Sequence, residues 1–78
     1  MNAFVLMNTE PGKLWQVAEE VLKMDEVKIA HAVTGQYDVI AYAEFARIND
    51  LREIIRRIQS IEGVDRTTTA ITLALRFY

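Results

Sequence analysis

The sequence predicts an α+β fold with the element order strand, helix, strand, strand, helix, strand, and three observations carry that expectation. Apolar residues recur at three-and-four spacing in two separate stretches, around Leu14 to Leu22 and around Leu51 to Ile61. Four other stretches, Ala3–Met7, Val27–Val33, Tyr37–Phe45 and Thr67–Phe77, are apolar runs or alternate apolar with polar residues. The chain has 78 residues, room for one domain over 1–78 and no second module.

Taken in order, Ala3-Phe4-Val5-Leu6-Met7 is a strand, and Asn8-Thr9-Glu10-Pro11-Gly12 is a polar stop that suits entry into a helix. The first helix is expected from about Pro11 to Met24, with Leu14, Val17, Ala18, Val21 and Leu22 on one face. Val27, Ile29, His31 and Val33 then alternate against Lys28, Ala30 and Ala32. Thr34-Gly35-Gln36 turns the chain into Tyr37–Phe45, completing a hairpin. Asn49 or Asp50 is placed to cap a second helix whose apolar residues are Ile48, Leu51, Ile54, Ile55, Ile58 and Ile61, and Gly63 is placed to end it. From Thr67, the series Ile71, Leu73, Leu75 and Phe77 alternates with Ala70, Thr72, Ala74 and Arg76 as a fourth strand, with room for a further short strand at the end.

Two interleaved strand–helix–strand units give an antiparallel four-stranded sheet with both helices on one face, the ferredoxin-like βαββαβ arrangement. The other face is then bare. The first strand is apolar in both registers, and the third carries Val39, Ala41 and Ala43 on one side but Ile40 and Tyr42 on the other. Both faces want cover and the helices supply one. A second copy is therefore expected to pack on the open face, as in dimeric α+β barrels.

Composition excludes several chemistries. With no cysteine there is no disulfide scaffold, thiolate metal site or thiol nucleophile, and a single histidine weakens metal chemistry further. Nine basic against eleven acidic side chains give a net charge of −2, the wrong sign for a domain that holds nucleic acid by neutralising phosphate. No apolar run approaches the roughly 20 residues that span a bilayer, and Met1-Asn2-Ala3 lacks a basic signal-peptide start, so a cytoplasmic protein without membrane attachment is expected. Ser60 and His31 have no evident catalytic partner, and His31 reads as a half-buried strand residue. Arg52, Arg56 and Arg57 are interspersed with Asp50 and Glu53 and read as a solvated helix face.

Two places point beyond packing. Thr34-Gly35-Gln36-Tyr37-Asp38 joins a glycine, which lets the backbone present N–H groups, to a carboxylate that an ammonium group can use. Thr67-Thr68-Thr69 sets three hydroxyls at the start of a strand.

These segments resemble a known family. Val33-Thr34-Gly35-Gln36-Tyr37-Asp38 is similar to a V-T-G-x-Y-D turn, Ile61-Glu62-Gly63-Val64 to an x-x-G-V step, and Thr67-Thr68-Thr69-Ala70-Ile71-Thr72-Leu73 to a threonine-rich last strand. All three belong to the effector-binding RAM (regulation of amino-acid metabolism) domain of leucine-responsive/asparagine-type (Lrp/AsnC) transcriptional regulators. The resemblance runs from about Phe4 to Leu75. It implies sheet-to-sheet dimers that assemble into rings of dimers, no cofactor, and an amino-acid site between neighbouring dimers. By matching position, Gly35, Tyr37, Asp38, Thr67 and Thr69 are the implied ligand contacts. Regulators of this family carry a helix-turn-helix ahead of the domain, whereas this chain opens on its first strand. The expectation is a stand-alone form that senses an amino acid, co-assembles with full-length relatives, or does both, without binding DNA directly. The alternative is a cofactor-free small enzyme on the same dimeric fold with His31 as base, and a third reading is an oligomerisation module without ligand.

Overall fold

The apolar run that opens the chain becomes the centre of the sheet. A computed structural model describes residues 1–73 and contains β1 (Asn2–Thr9), α1 (Leu14–Leu22), β2 (Val27–Ala32), β3 (Val39–Glu44), α2 (Ile48–Gln59) and β4 (Val64–Ile71). The strand order is β2-β3-β1-β4, and every pairing is antiparallel. This is the expected βαββαβ order. The expected strand positions Leu75 and Phe77, and the further short strand, lie outside the described residues.

One core accounts for one face of the sheet. Ala3, Val5 and Met7 of β1 and Val39, Ala41 and Ala43 of β3 have no water-accessible surface, and they cluster with Val17, Ala18 and Val21 of α1 and Leu51, Ile54 and Ile58 of α2. Both helices therefore cover the same face. Paired residues in an antiparallel ladder project to the same side, so Phe4 with Tyr42 and Leu6 with Ile40 lie on the opposite, uncovered side.

Several boundaries differ from expectation, each for a local reason. Helix α1 starts at Leu14, not Pro11, because Gly12 has φ +80°, outside right-handed helical space, and it ends at Leu22, short of Met24. Helix α2 is capped two or three residues earlier than Asn49 or Asp50 would place it: Arg47 is the N-cap, and its backbone N–H donates to Asp50 Oδ2 at 3.0 Å. The hairpin turn is wider than three residues. Strand β2 ends at Ala32 and β3 begins at Val39, and the Val33 N–H donates to Asp38 O at 2.9 Å across the loop. Strand β4 begins at Val64 rather than Thr67. Val27 and Ile29 do not share a face: Val27 pairs with Ala43 and Ile29 with Tyr42, so Lys28 is an extra residue in a β-bulge. The bulge leaves Val27 buried while Ile29 and His31 join the open face, and His31 is exposed rather than half-buried.

Gly63 closes α2's descent into β4 at φ +100°, and a Cβ placed there would sit 2.8 Å from Lys13 Cβ and 3.0 Å from Val17 Cγ2. Both conformation and space demand glycine. A second contact ties α2 to the turn between α1 and β2: the Arg57 guanidinium donates to both carboxylate oxygens of Glu26 at 3.1 and 3.2 Å. Those bonds, helped by a backbone N–H, hold Glu26 below the ordinary glutamate value.

Two outcomes follow from this packing. Ile58→Ala should destabilise the fold by about 2–5 kcal/mol in urea titration, the range for a fully buried large-to-small change. Because Glu26 titrates lower when folded, the stability drawn from its pair with Arg57 is present above the ordinary glutamate range and lost as pH falls through the depressed folded value. Denaturant titrations across that acid limb should show wild type losing its advantage over Glu26→Gln. An advantage that does not change with pH would show that the pair contributes nothing.

Candidate functional site

At the end of β1 the strand leaves the core and becomes polar, and four hydrogen bonds tie the loop 33–38 to it. Asn8 Nδ2 donates to Gln36 O at 2.6 Å, and the Asp38 N–H donates to Met7 O at 2.8 Å. The Thr9 N–H donates to Asp38 Oδ2 at 2.8 Å, with Thr9 Oγ1 3.3 Å from the same oxygen. Gly35, at φ +117° and with open space where a Cβ would lie, is required by backbone conformation rather than by crowding.

The strap forms one wall of a cleft of about 560 Å³, lined by Asn8, Thr9, Gln36, Tyr37, Asp38, Asp65, Arg66 and Thr68. The other wall is β4, and its composition depends on a second bulge. Asn8 pairs with Arg66 but Thr9 pairs with Val64, so Asp65 is an extra residue between consecutive positions of β1. In a regular strand, neighbours such as Asp65 and Arg66 project to opposite faces. The bulge lets both line one cleft. Among the described residues neither side chain makes a hydrogen bond or ion pair, and Asp38 Oδ1 is likewise unengaged.

The sequence-derived site residues divide accordingly. Tyr37 and Asp38 line the cleft, and Gly35 shapes the loop beside it without lining it. Thr67 and Thr69 do not join them. They pair with Met7 and Val5 and so face the helical layer, where Gln59 Nε2 donates to Thr67 Oγ1 at 3.1 Å, while Thr68 between them faces the cleft. Asn8, Thr9, Asp65, Arg66 and Thr68 were not expected there. The polar pair that ends β1 gave a signal, but Asp65 and Arg66 gave none, because a bulge depends on the partner strand's register.

A wider hollow of about 680 Å³ lies near Asp25, Glu26, Lys28 and Glu44, but there Glu26 is already taken by Arg57 and Lys28 Nζ by the Asp25 carbonyl. Among the described residues no group of three or more histidines and carboxylates is placed to hold a metal ion. No helix among them is long and apolar enough to cross a membrane.

Comparison with known proteins gives the arrangement its context. The HTH-type transcriptional regulator FL11 of Pyrococcus furiosus is 32% identical over 71 residues, which are 91% of this chain and 47% of the regulator. The chain spans about half the length of the curated relatives it matches. The solved structure of hypothetical protein PHS023 from Pyrococcus horikoshii superimposes with a TM-score of 0.87 at 37% identity, over 95% of this chain and 90% of that one. The transcriptional regulator NMB0573 of Neisseria meningitidis, solved as a complex with L-Met, shares the fold with a TM-score of 0.86 at 22% identity, over 99% of this chain and 52% of that one. FL11 and NMB0573 are transcriptional regulators, not enzymes. Residues 2–75 match the model of the Lrp/AsnC ligand binding domain, so the chain with this strapped, charged cleft belongs to the Lrp/AsnC ligand-binding-domain family.

Proposed function

We propose that this domain binds a free amino acid in the cleft between the loop 33–38 and β4, and that it works as a dimer or a multiple of dimers. The observation that carries the first part is that Asp38 Oδ1, the Asp65 carboxylate, the Arg66 guanidinium and the Thr68 hydroxyl line one cleft and, among the described residues, have no side-chain partner. An α-ammonium needs an acceptor, and Thr9 leaves Asp38 Oδ1 available for it. An α-carboxylate needs donors, which Arg66 and Thr68 supply, the guanidinium in two-pronged geometry. The L-Met complex of the Neisseria regulator, which shares the fold, is consistent with this reading. Thr67 and Thr69 face the helices of their own chain, so they reach a ligand only by completing a neighbouring chain's site.

The sheet supports the second part. Its open face carries Phe4, Leu6, Ile29, Ile40 and Tyr42, with Phe4 and Ile29 40% and 47% exposed. The rings of Phe4 and Tyr42 meet at a tilt of 54°, with 5.1 Å between centroids. Phe4, Ile29, His31, Ile40 and Tyr42 line a nearly wholly apolar groove of about 300 Å³. A second copy covering that face buries the groove twice over, by two-fold symmetry. Ligand binding would then reach transcription through co-assembly with chains that carry a DNA-binding segment, in the cytoplasm, since a domain of net charge −2 is poorly suited to hold duplex DNA itself.

Two measurements test this. Light scattering at micromolar concentration should give at least twice the chain mass, and Ile40→Glu, which sets a charge in the groove, should give single chains with unchanged circular dichroism. A single-chain mass for wild type would remove the dimer. Thermal melting against the twenty amino acids should show stabilisation by at least one of them. In calorimetry, Asp38→Asn should weaken that amino acid by about 1.5–3 kcal/mol, the worth of a charge-assisted bond. Equal binding by the Asn variant would leave Asp38 only its bond to Thr9.

A further inference from the structure

The charges of the cleft do not balance, and the imbalance says which amino acids fit. Its charged lining is Asp38, Asp65 and Arg66, two negative groups against one positive. A zwitterion laid as proposed above answers Asp38 with its ammonium and Arg66 with its carboxylate. Asp65 is left over. It cannot turn away to the far side of the sheet as an alternating strand residue would, because the bulge between the Asn8–Arg66 and Thr9–Val64 pairs turns it toward the cleft. Among the described residues no cation is bonded to it. The rest of the lining is Asn8, Thr9, Gln36, Tyr37 and Thr68, with no aliphatic side chain to reward an apolar ligand for leaving water.

We infer that the cleft selects a basic amino acid, one whose cationic side chain pairs with Asp65 while its α-groups meet Asp38 and Arg66. This rests on the amino-acid reading of the cleft and adds the ligand's charge to it. Asp65 and Arg66 are both exposed, so part of the attraction is screened by salt.

The test compares L-lysine with L-norleucine, which has the same straight carbon chain but ends in a methyl group, together with L-arginine and L-ornithine. Calorimetry on the intact chain at low ionic strength should give lysine binding roughly two- to fivefold tighter than norleucine, the worth of an exposed ion pair. Asp65→Asn should remove most of that difference by weakening lysine alone, and added salt should narrow it in wild type. Lysine and norleucine binding equally, a neutral amino acid binding tighter than all three basic ones, or Asp65→Asn weakening lysine and norleucine alike would each overturn the inference while leaving an amino-acid site in place. Binding of none of the twenty amino acids would remove the site and the inference together.

Discussion

A four-stranded sheet has two faces, and two helices of nine and twelve residues can cover only one of them. That shortage of cover governs this domain. Strand β1 runs through the middle of the sheet, and its odd positions Ala3, Val5 and Met7 are sealed from water while Phe4 and Leu6 between them face outward. Because side chains alternate along a strand, no slip in register could hide both sets. The fold therefore completes its core on one side and leaves an apolar surface on the other.

The same strand also makes the site. While β1 lies under the helices its odd residues are apolar, and where it emerges it ends in Asn8 and Thr9, whose donors hold the loop 33–38. The core and the candidate cleft thus occupy successive stretches of one strand. The bulge in β4 falls at the step where the core gives way to the cleft, which adds Asp65 to one wall without disturbing the ladder that places Thr67 and Thr69 toward the helices.

Much of the fold was legible because it follows from each segment's own pattern. The three-and-four spacing located both helices and put Ile54 and Ile58 in the core, and the two faces of β3 were separated correctly into Val39, Ala41, Ala43 and Ile40, Tyr42. What stayed hidden depends on partners. The extra residues Lys28 and Asp65 are defined by the strand opposite, and nothing in Val27–Val33 or in Thr67–Thr69 announces them. Arg47 became a cap through its backbone, with the recognisable capping residue Asp50 reaching back from inside the helix. Within the site, the turn was visible through Gly35, Tyr37 and Asp38, whereas Asp65 and Arg66 lay outside the stretch from Thr67 that reads as the fourth strand.

The loop 33–38 is held at Gln36 by a side chain of β1, and at Asp38 by one backbone bond and two bonds to its carboxylate. A loop fixed in this way has given up its conformational freedom when the chain folds, before any ligand arrives. On the amino-acid reading proposed above, association then needs no prior ordering of this loop. On the reading proposed above, a new selectivity is reached most simply by single substitutions on the β4 wall, which supplies none of the loop's anchors.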